Sequence, residues 1–173
     1  MRGIPAIEVR RFKRAWLKMT ASSKMRDLAQ RLLAYEAGEG ETSEPMESAT
    51  LRVYEKLRQG LGEFAGIAGF QSLASRALVL ARTEAPGLST ARISADGALQ
   101  GLGQGLDEFE SSIEIDRDRA AAKLAGEGGI ILISRLLGLL LMFLGEALTL
   151  SLLRVTWPAA ALDDCSSENG RKA

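Results

Sequence analysis

Histidine is absent from this chain, and cysteine occurs once, at Cys165. Those two scarcities remove imidazole acid–base catalysis, Ser-His and Cys-His nucleophile pairs, and ordinary zinc sites. Cys165 sits in the run Asp163-Asp164-Cys165-Ser166-Ser167, where neighbouring carboxylates disfavour a thiolate, so it reads as an inert, exposed thiol. A lone cysteine also excludes a disulfide within the chain. The first residues lack the apolar stretch and small-residue cleavage site of a secretory signal, which sets a cytoplasmic expectation, with the membrane as the alternative. Proline is scarce as well, at four residues, and with 46% hydrophobic content the chain has enough apolar material to build one core.

Net charge is the next thing missing, because 22 basic residues balance 22 acidic ones. The balance hides an asymmetry. Residues 1–26 hold eight basic side chains (Arg2, Arg10, Arg11, Lys13, Arg14, Lys18, Lys24, Arg26) against Glu8, a local charge of +7, and the remainder carries −7. Between Ile4 and Met19 the residues Phe12, Ala15, Trp16 and Met19 fall on one helical face, which predicts a basic amphipathic N-terminal segment over 1–24. Such a segment suits an anionic surface or is dispensable, since Met19 and Met25 are alternative starts. The acidic remainder would repel nucleic acid, so a nucleic-acid partner would have to use this segment alone.

What is present is helical periodicity. Met25, Leu28, Ala29, Leu32 and Leu33 repeat at helical spacing, with Ser22 or Ser23 as a cap and Gly38 as a stop. The glycine-containing acidic stretch from Gly38 to Glu44 reads as a loop. Residues 46–85 read as helix in two pieces. Gly60, Gly62, Gly66 and Gly69 between them predict a bend or a close backbone approach, and Pro86-Gly87 ends the segment. Asp96-Gly97, flanked by residues 90–95 and 98–100, predicts a hairpin with a type I′ turn. The run Gly101-Leu102-Gly103-Gln104-Gly105 fits neither a dinucleotide fingerprint nor a P-loop and reads as a connection.

Residues 117–155 can run as one helix, or as two joined near Gly126, Gly128 and Gly129, stopping at Trp157-Pro158. Between Ile130 and Leu152, fourteen positions are leucine, isoleucine or phenylalanine, so this helix is apolar nearly all round and must be covered by protein or lipid. Its charges, Arg135 and Glu146, interrupt a candidate span. The longest charge-free run, Leu136 to Gly145, has a length more typical of a buried core helix than of a membrane span. The flanks carry equal numbers of cations and give no orientation bias. Ser134, Gly138, Gly145 and Thr149 fall near one line and form a candidate helix-packing face, while Arg135 and Glu146 are too far apart to pair with each other and must find partners elsewhere or reach solvent.

The expected fold is mainly α: a bundle of four to six helices over 25–158 around the helix 130–152, with a small inserted β-hairpin and a polar tail over 159–173. The expected function is non-enzymatic, a helical protein-interaction or accessory module that self-associates or binds a protein partner, with no cofactor and no catalytic residue assigned. The alternative is a single-pass membrane protein anchored at 130–152. A minor alternative is a carboxylate metal enzyme built on Asp107, Glu108, Glu110, Glu114, Asp116 and Asp118, which lack the spacing and glycine of an EF-hand.

Overall fold

The computed structural model describes residues 23–38, 46–102 and 114–160, with backbone alone at 46, 47 and 114–125. The basic segment before Ser23, the acidic loop 39–45, residues 103–113 and the tail from residue 161 with Cys165 lie outside the described residues. So do the side chains of Glu114, Asp116 and Asp118.

The chain is mainly helical with one two-stranded antiparallel hairpin. Helix α1 covers residues 23–38, and its predicted stripe is inward, with Leu28, Ala29, Leu32 and Leu33 buried. Helix α2, Met46–Arg82, is bent. Gly66, at φ 71° and ψ 163°, is not helical, a conformation that a residue with a Cβ scarcely enters. Tyr54 and Phe70 meet edge to face with ring centroids 5.4 Å apart. In a straight helix, sixteen residues would separate them by about 24 Å, so the contact exists only because the chain turns back at Gly66.

A short 3-10 turn, Pro86–Leu88, leads into strands β1 (Arg92–Ile93) and β2 (Leu99–Gln100), with Arg92 opposite Gln100 and Ile93 opposite Leu99. The guanidinium of Arg82, at the end of α2, donates to the carbonyls of Leu88 and Ala91 and ties this connection down. The turn differs from the expected type I′. Only Gly97, at φ 81°, has positive φ there. Gly97 N–H donates to Ser94 O at 2.9 Å, and Ser94 N–H donates to Ala98 O at 2.9 Å. That is a three-residue loop, a type I-like turn closed by a left-handed glycine, which asks nothing unusual of Asp96.

Two strands alone are marginal in water, and here they dock on α2. Tyr54 Oη donates to Gly97 O at 2.7 Å, and Arg58 Nη1 donates to Asp96 O at 2.9 Å. A Cβ on Gly97 would lie 3.2 Å from the Phe70 ring. Gly97→Val should therefore lower stability by about 1–3 kcal/mol through backbone strain and overpacking. An unchanged thermal melt would contradict the docked turn.

Helix α3, Glu114–Leu144, supplies Leu132, Ile133, Leu136, Leu137 and Leu140 to the core. It stays helical through Gly128 and Gly129, where neighbouring side chains approach the backbone closely. A Cβ on Gly129 would sit 2.2 Å from Thr50 Oγ1, and one on Gly128 would sit 3.1 Å from Leu88 Cδ2. The break falls instead at Gly145, at φ 80° and ψ 170°, after which α4 (Glu146–Thr156) brings Thr149, Leu152, Leu153 and then Trp157 into the core. The expected continuous helix 130–152 is thus two helices. Full burial on α3 ends at Leu140, and Leu144 packs partly against the core.

Candidate functional site

Among the described residues, buried polar side chains are Glu36, Thr50 and Thr149. Glu36 is the one with chemical potential, being 1% exposed and charged. Its Oε1 accepts from Lys56 Nζ at 2.6 Å and from Trp157 Nε1 at 2.5 Å. Arg52 Nε lies 3.7 Å from Oε2, and Arg52 Nη2 donates to the Glu36 carbonyl at 2.8 Å. Lys56 Nζ also stands 5.9 Å from the Trp157 ring centroid, a cation–π distance. Each partner comes from a different part of the chain: Glu36 from the end of α1, Arg52 and Lys56 from α2, and Trp157 from the C-cap of α4. The carboxylate is buried while Arg52 and Lys56 stay partly exposed, and the arrangement works as a clasp between α1, α2 and the end of α4. Its signal in the sequence was a carboxylate at position 36, three and four residues beyond Leu33 and Leu32 and so on the apolar stripe itself.

The hairpin cluster is equally committed. Arg58 holds Glu55 through two nitrogens, at 2.8 and 2.7 Å, and this pairing pulls the Glu55 carboxyl below its ordinary range. The Ser94 hydroxyl, ahead of the backbone N–H of Ala98, does the same for Asp96. Burial pushes the Tyr54 phenol above its ordinary range, so it stays protonated and donates. No buried side-chain polar atom among the described residues lacks a partner, and no group of three potential metal ligands occurs among them.

Of the residues singled out in the sequence, Ser134 and Gly138 lie on α3, and Gly145 and Thr149 lie at the turn into α4. Ser134 Oγ donates to Ile131 O, a Cβ on Gly138 would touch nothing within 4 Å, Gly145 is exposed at the break, and Thr149 Oγ1 donates back to Gly145 O at 2.8 Å. Gly145 and Thr149 thus form the corner itself, where the helix carrying Ser134 and Gly138 has ended. Arg135 pairs with Glu84, beyond the end of α2. Glu146 is exposed in the first turn of α4, where a carboxylate complements the helix dipole.

The surface feature that sequence reasoning missed is apolar. Burial stops at Leu61 and resumes at Phe70, and it stops again at Leu140 and resumes at Thr149. Between those limits lie Phe64 (77% exposed), Ile67, Met142 (83%), Phe143 (78%) and Leu148. These exposed side chains flank the two glycine bends, Gly66 and Gly145, whose backbones have nearly the same conformation. In the sequence, Met142 and Phe143 are indistinguishable from the buried leucines before them, so only the fold separates them.

Contacts between α2 and α4 place the two bends at the same end of the molecule. Lys56 meets Trp157 through Glu36, while a Cβ on Gly60 would be 3.0 Å from Leu152 Cδ1 and 3.4 Å from Thr156 Oγ1. Going forward along α2 therefore means going backward along α4. Gly66 lies six residues past Gly60 and Gly145 seven before Leu152, each about 9–11 Å further on in the same direction.

No family model matches the chain, and no curated protein or solved structure matches it either.

Proposed function

We propose that this protein is a non-enzymatic helical interaction module, self-associating or partner-bound through the apolar end formed by its two glycine bends. The observation that carries the reading is the exposure of Phe64, Met142 and Phe143, each more than three-quarters open. Monomeric proteins scatter single apolar residues over their surfaces, but several large ones at one end, with buried residues starting immediately behind them, mark a surface that gains by being covered. The polar clusters favour the same reading, since among the described residues Glu36, Arg52, Lys56 and Arg58 are engaged in holding helices and hairpin together.

The single-pass alternative at 130–152 has less support. Two helices, Ser48–Arg82 and Gly126–Leu144, are long and apolar enough to cross a bilayer by length and composition. The first, however, turns back at Gly66, and the second already packs Leu132, Leu136 and Leu140 against protein. The helix also breaks at Gly145, so residues 130–152 are not one continuous helical segment.

Light scattering tests the proposal. The full chain should show concentration-dependent association, and Met142→Ser with Phe143→Ser should remain monomeric with an unchanged melt, because both side chains are outside the core. Association that persists in the double variant would overturn the assignment of this end as the working surface.

A further inference from the structure

The two corners of the apolar end repeat one local pattern. Phe64-Ala65-Gly66-Ile67-Ala68 and Phe143-Leu144-Gly145-Glu146-Ala147 both read Phe-x-Gly-x-Ala. Their glycines share a backbone conformation, φ 71° and ψ 163° at Gly66 against φ 80° and ψ 170° at Gly145. Each phenylalanine stands in the last turn before its break, where no further turn of the same helix follows to cover the ring. The two rings are almost equally open, at 77% and 78%. Beside each ring the surface is low. A Cβ on either glycine would meet nothing within 4 Å, and the exposed Ala68 and Ala147 carry no more than a methyl. One surface therefore holds both projecting rings and recesses bare of side chains.

A surface with both halves of a ring-and-recess contact is complementary to itself. A two-fold interface between identical chains requires that property, since every contact in it occurs twice. The size agrees. Phe64, Ile67, Met142, Phe143 and Leu148, between 55% and 83% exposed, present on the order of 600 Å² of apolar surface. Two copies meeting there bury about 1,200 Å² in all, at the lower end of the range for specific interfaces. Residues 62–69 and 141–148 contain no cation and two carboxylates, Glu63 and Glu146. Between two copies these carboxylates repel, and salt screens the repulsion, whereas salt would weaken a contact with a basic partner.

We infer that this end pairs with the same end of a second copy, forming a two-fold dimer in which the Phe64 and Phe143 rings of each chain enter the glycine–alanine recesses of the other. The inference rests on the proposed interaction function and names its partner. A two-fold contact uses its own surface up, so association stops at the dimer.

Sedimentation velocity on the full chain should show monomer passing to dimer, and to nothing larger, as concentration rises. Phe64→Ser and Phe143→Ser, each alone, should weaken the dimer by at least about tenfold, because each variant removes its ring twice. The melt of the monomer should not change, since both rings lie outside the core. Added sodium chloride should strengthen the dimer. A chain monomeric at every concentration, growth beyond the dimer, a wild-type dimer in either variant, or a dimer that salt dissolves would each overturn the inference.

Spin labels in a Cys165→Ser background locate the contact. Labels at Glu63→Cys, beside the first corner, should lie close together in the dimer. Labels at Glu127→Cys, exposed on α3 about 22 Å along the helix from Met142, should lie far apart, and the reverse order would overturn an end-to-end pairing. The photo-crosslinker p-benzoylphenylalanine at position 143, in cells expressing the full chain with two different tags, separates the inference from the function it rests on. The expected adduct joins the two tagged copies. An adduct only with a different protein would overturn the second copy as partner and leave the interaction function standing, and no adduct at all would overturn both.

Discussion

Leu140→Ala should lower the stability of the protein by about 2–5 kcal/mol. Leu140 is fully buried in α3, and truncation there removes the transfer energy of the lost atoms and leaves a cavity that a close-packed core closes only in part. A domain of this size is stable by about 5–15 kcal/mol in total, so the loss should appear as a fall of roughly 5–20 °C in melting temperature. The contrast lies two residues further on. Met142→Ala, at a side chain 83% exposed, should leave the melt within about 0.5 kcal/mol of wild type. A helix covered by lipid on all sides would show no such difference between positions 140 and 142, because lipid closes around either truncation.

The second large effect is expected at Glu36. Glu36→Ala removes the acceptor for Lys56 and Trp157 and the counter-charge of Arg52 together. Leaving a buried donor unsatisfied costs about 1–3 kcal/mol, and a hydrogen bond to a charged group contributes about 1.5–3 kcal/mol. Lys56 and Arg52 are partly exposed and can turn to water, which limits the total to about 3 kcal/mol, below the upper range for a fully buried pair. Glu36→Gln keeps an acceptor for the Trp157 indole while losing the charge, so its effect should be intermediate. Denaturation midpoints give the ranking, and in a Trp16→Phe background the emission of Trp157 should move to longer wavelength in Glu36→Ala. An unaltered midpoint and spectrum would show that the clasp does not hold Trp157 in place.

Much of this architecture is legible in the residues, and the parts that are not share one cause. The stripe Leu28, Ala29, Leu32, Leu33 and the hairpin around Asp96-Gly97 follow from local periodicity and turn chemistry, which need no knowledge of the rest of the molecule. The glycines between 60 and 69 announce a bend without saying which one makes it. Gly60 accommodates Leu152, and Gly66 turns the chain. The same ambiguity misplaced the break in the apolar helix. Gly128 and Gly129 look like a hinge, yet they stay helical and make room for Leu88 and Thr50, while the lone Gly145 supplies the corner. Local sequence specifies that a glycine can bend, and tertiary contact decides whether it does.

The same cause hid both the Glu36 cluster and the exposed apolar end. Glu36 sits where a core residue is expected, and its partners Lys56 and Trp157 are distant in the chain, so their convergence is a property of the fold. Met142 and Phe143 continue an apolar run that the core abandons after Leu140. Hydropathy counts them as core or span, and only the folding of α4 back at Gly145 leaves them outside.

Alkaline carbonate extraction of membranes from cells expressing the full chain tests most directly whether α3 is the heart of a closed bundle that meets other surfaces only at its apolar end. A closed bundle predicts that all membrane-associated protein is released by carbonate and that, returned to neutral buffer without detergent, it refolds to the wild-type melt. Protein that stays in the carbonate-washed bilayer and enters solution only with detergent would contradict it.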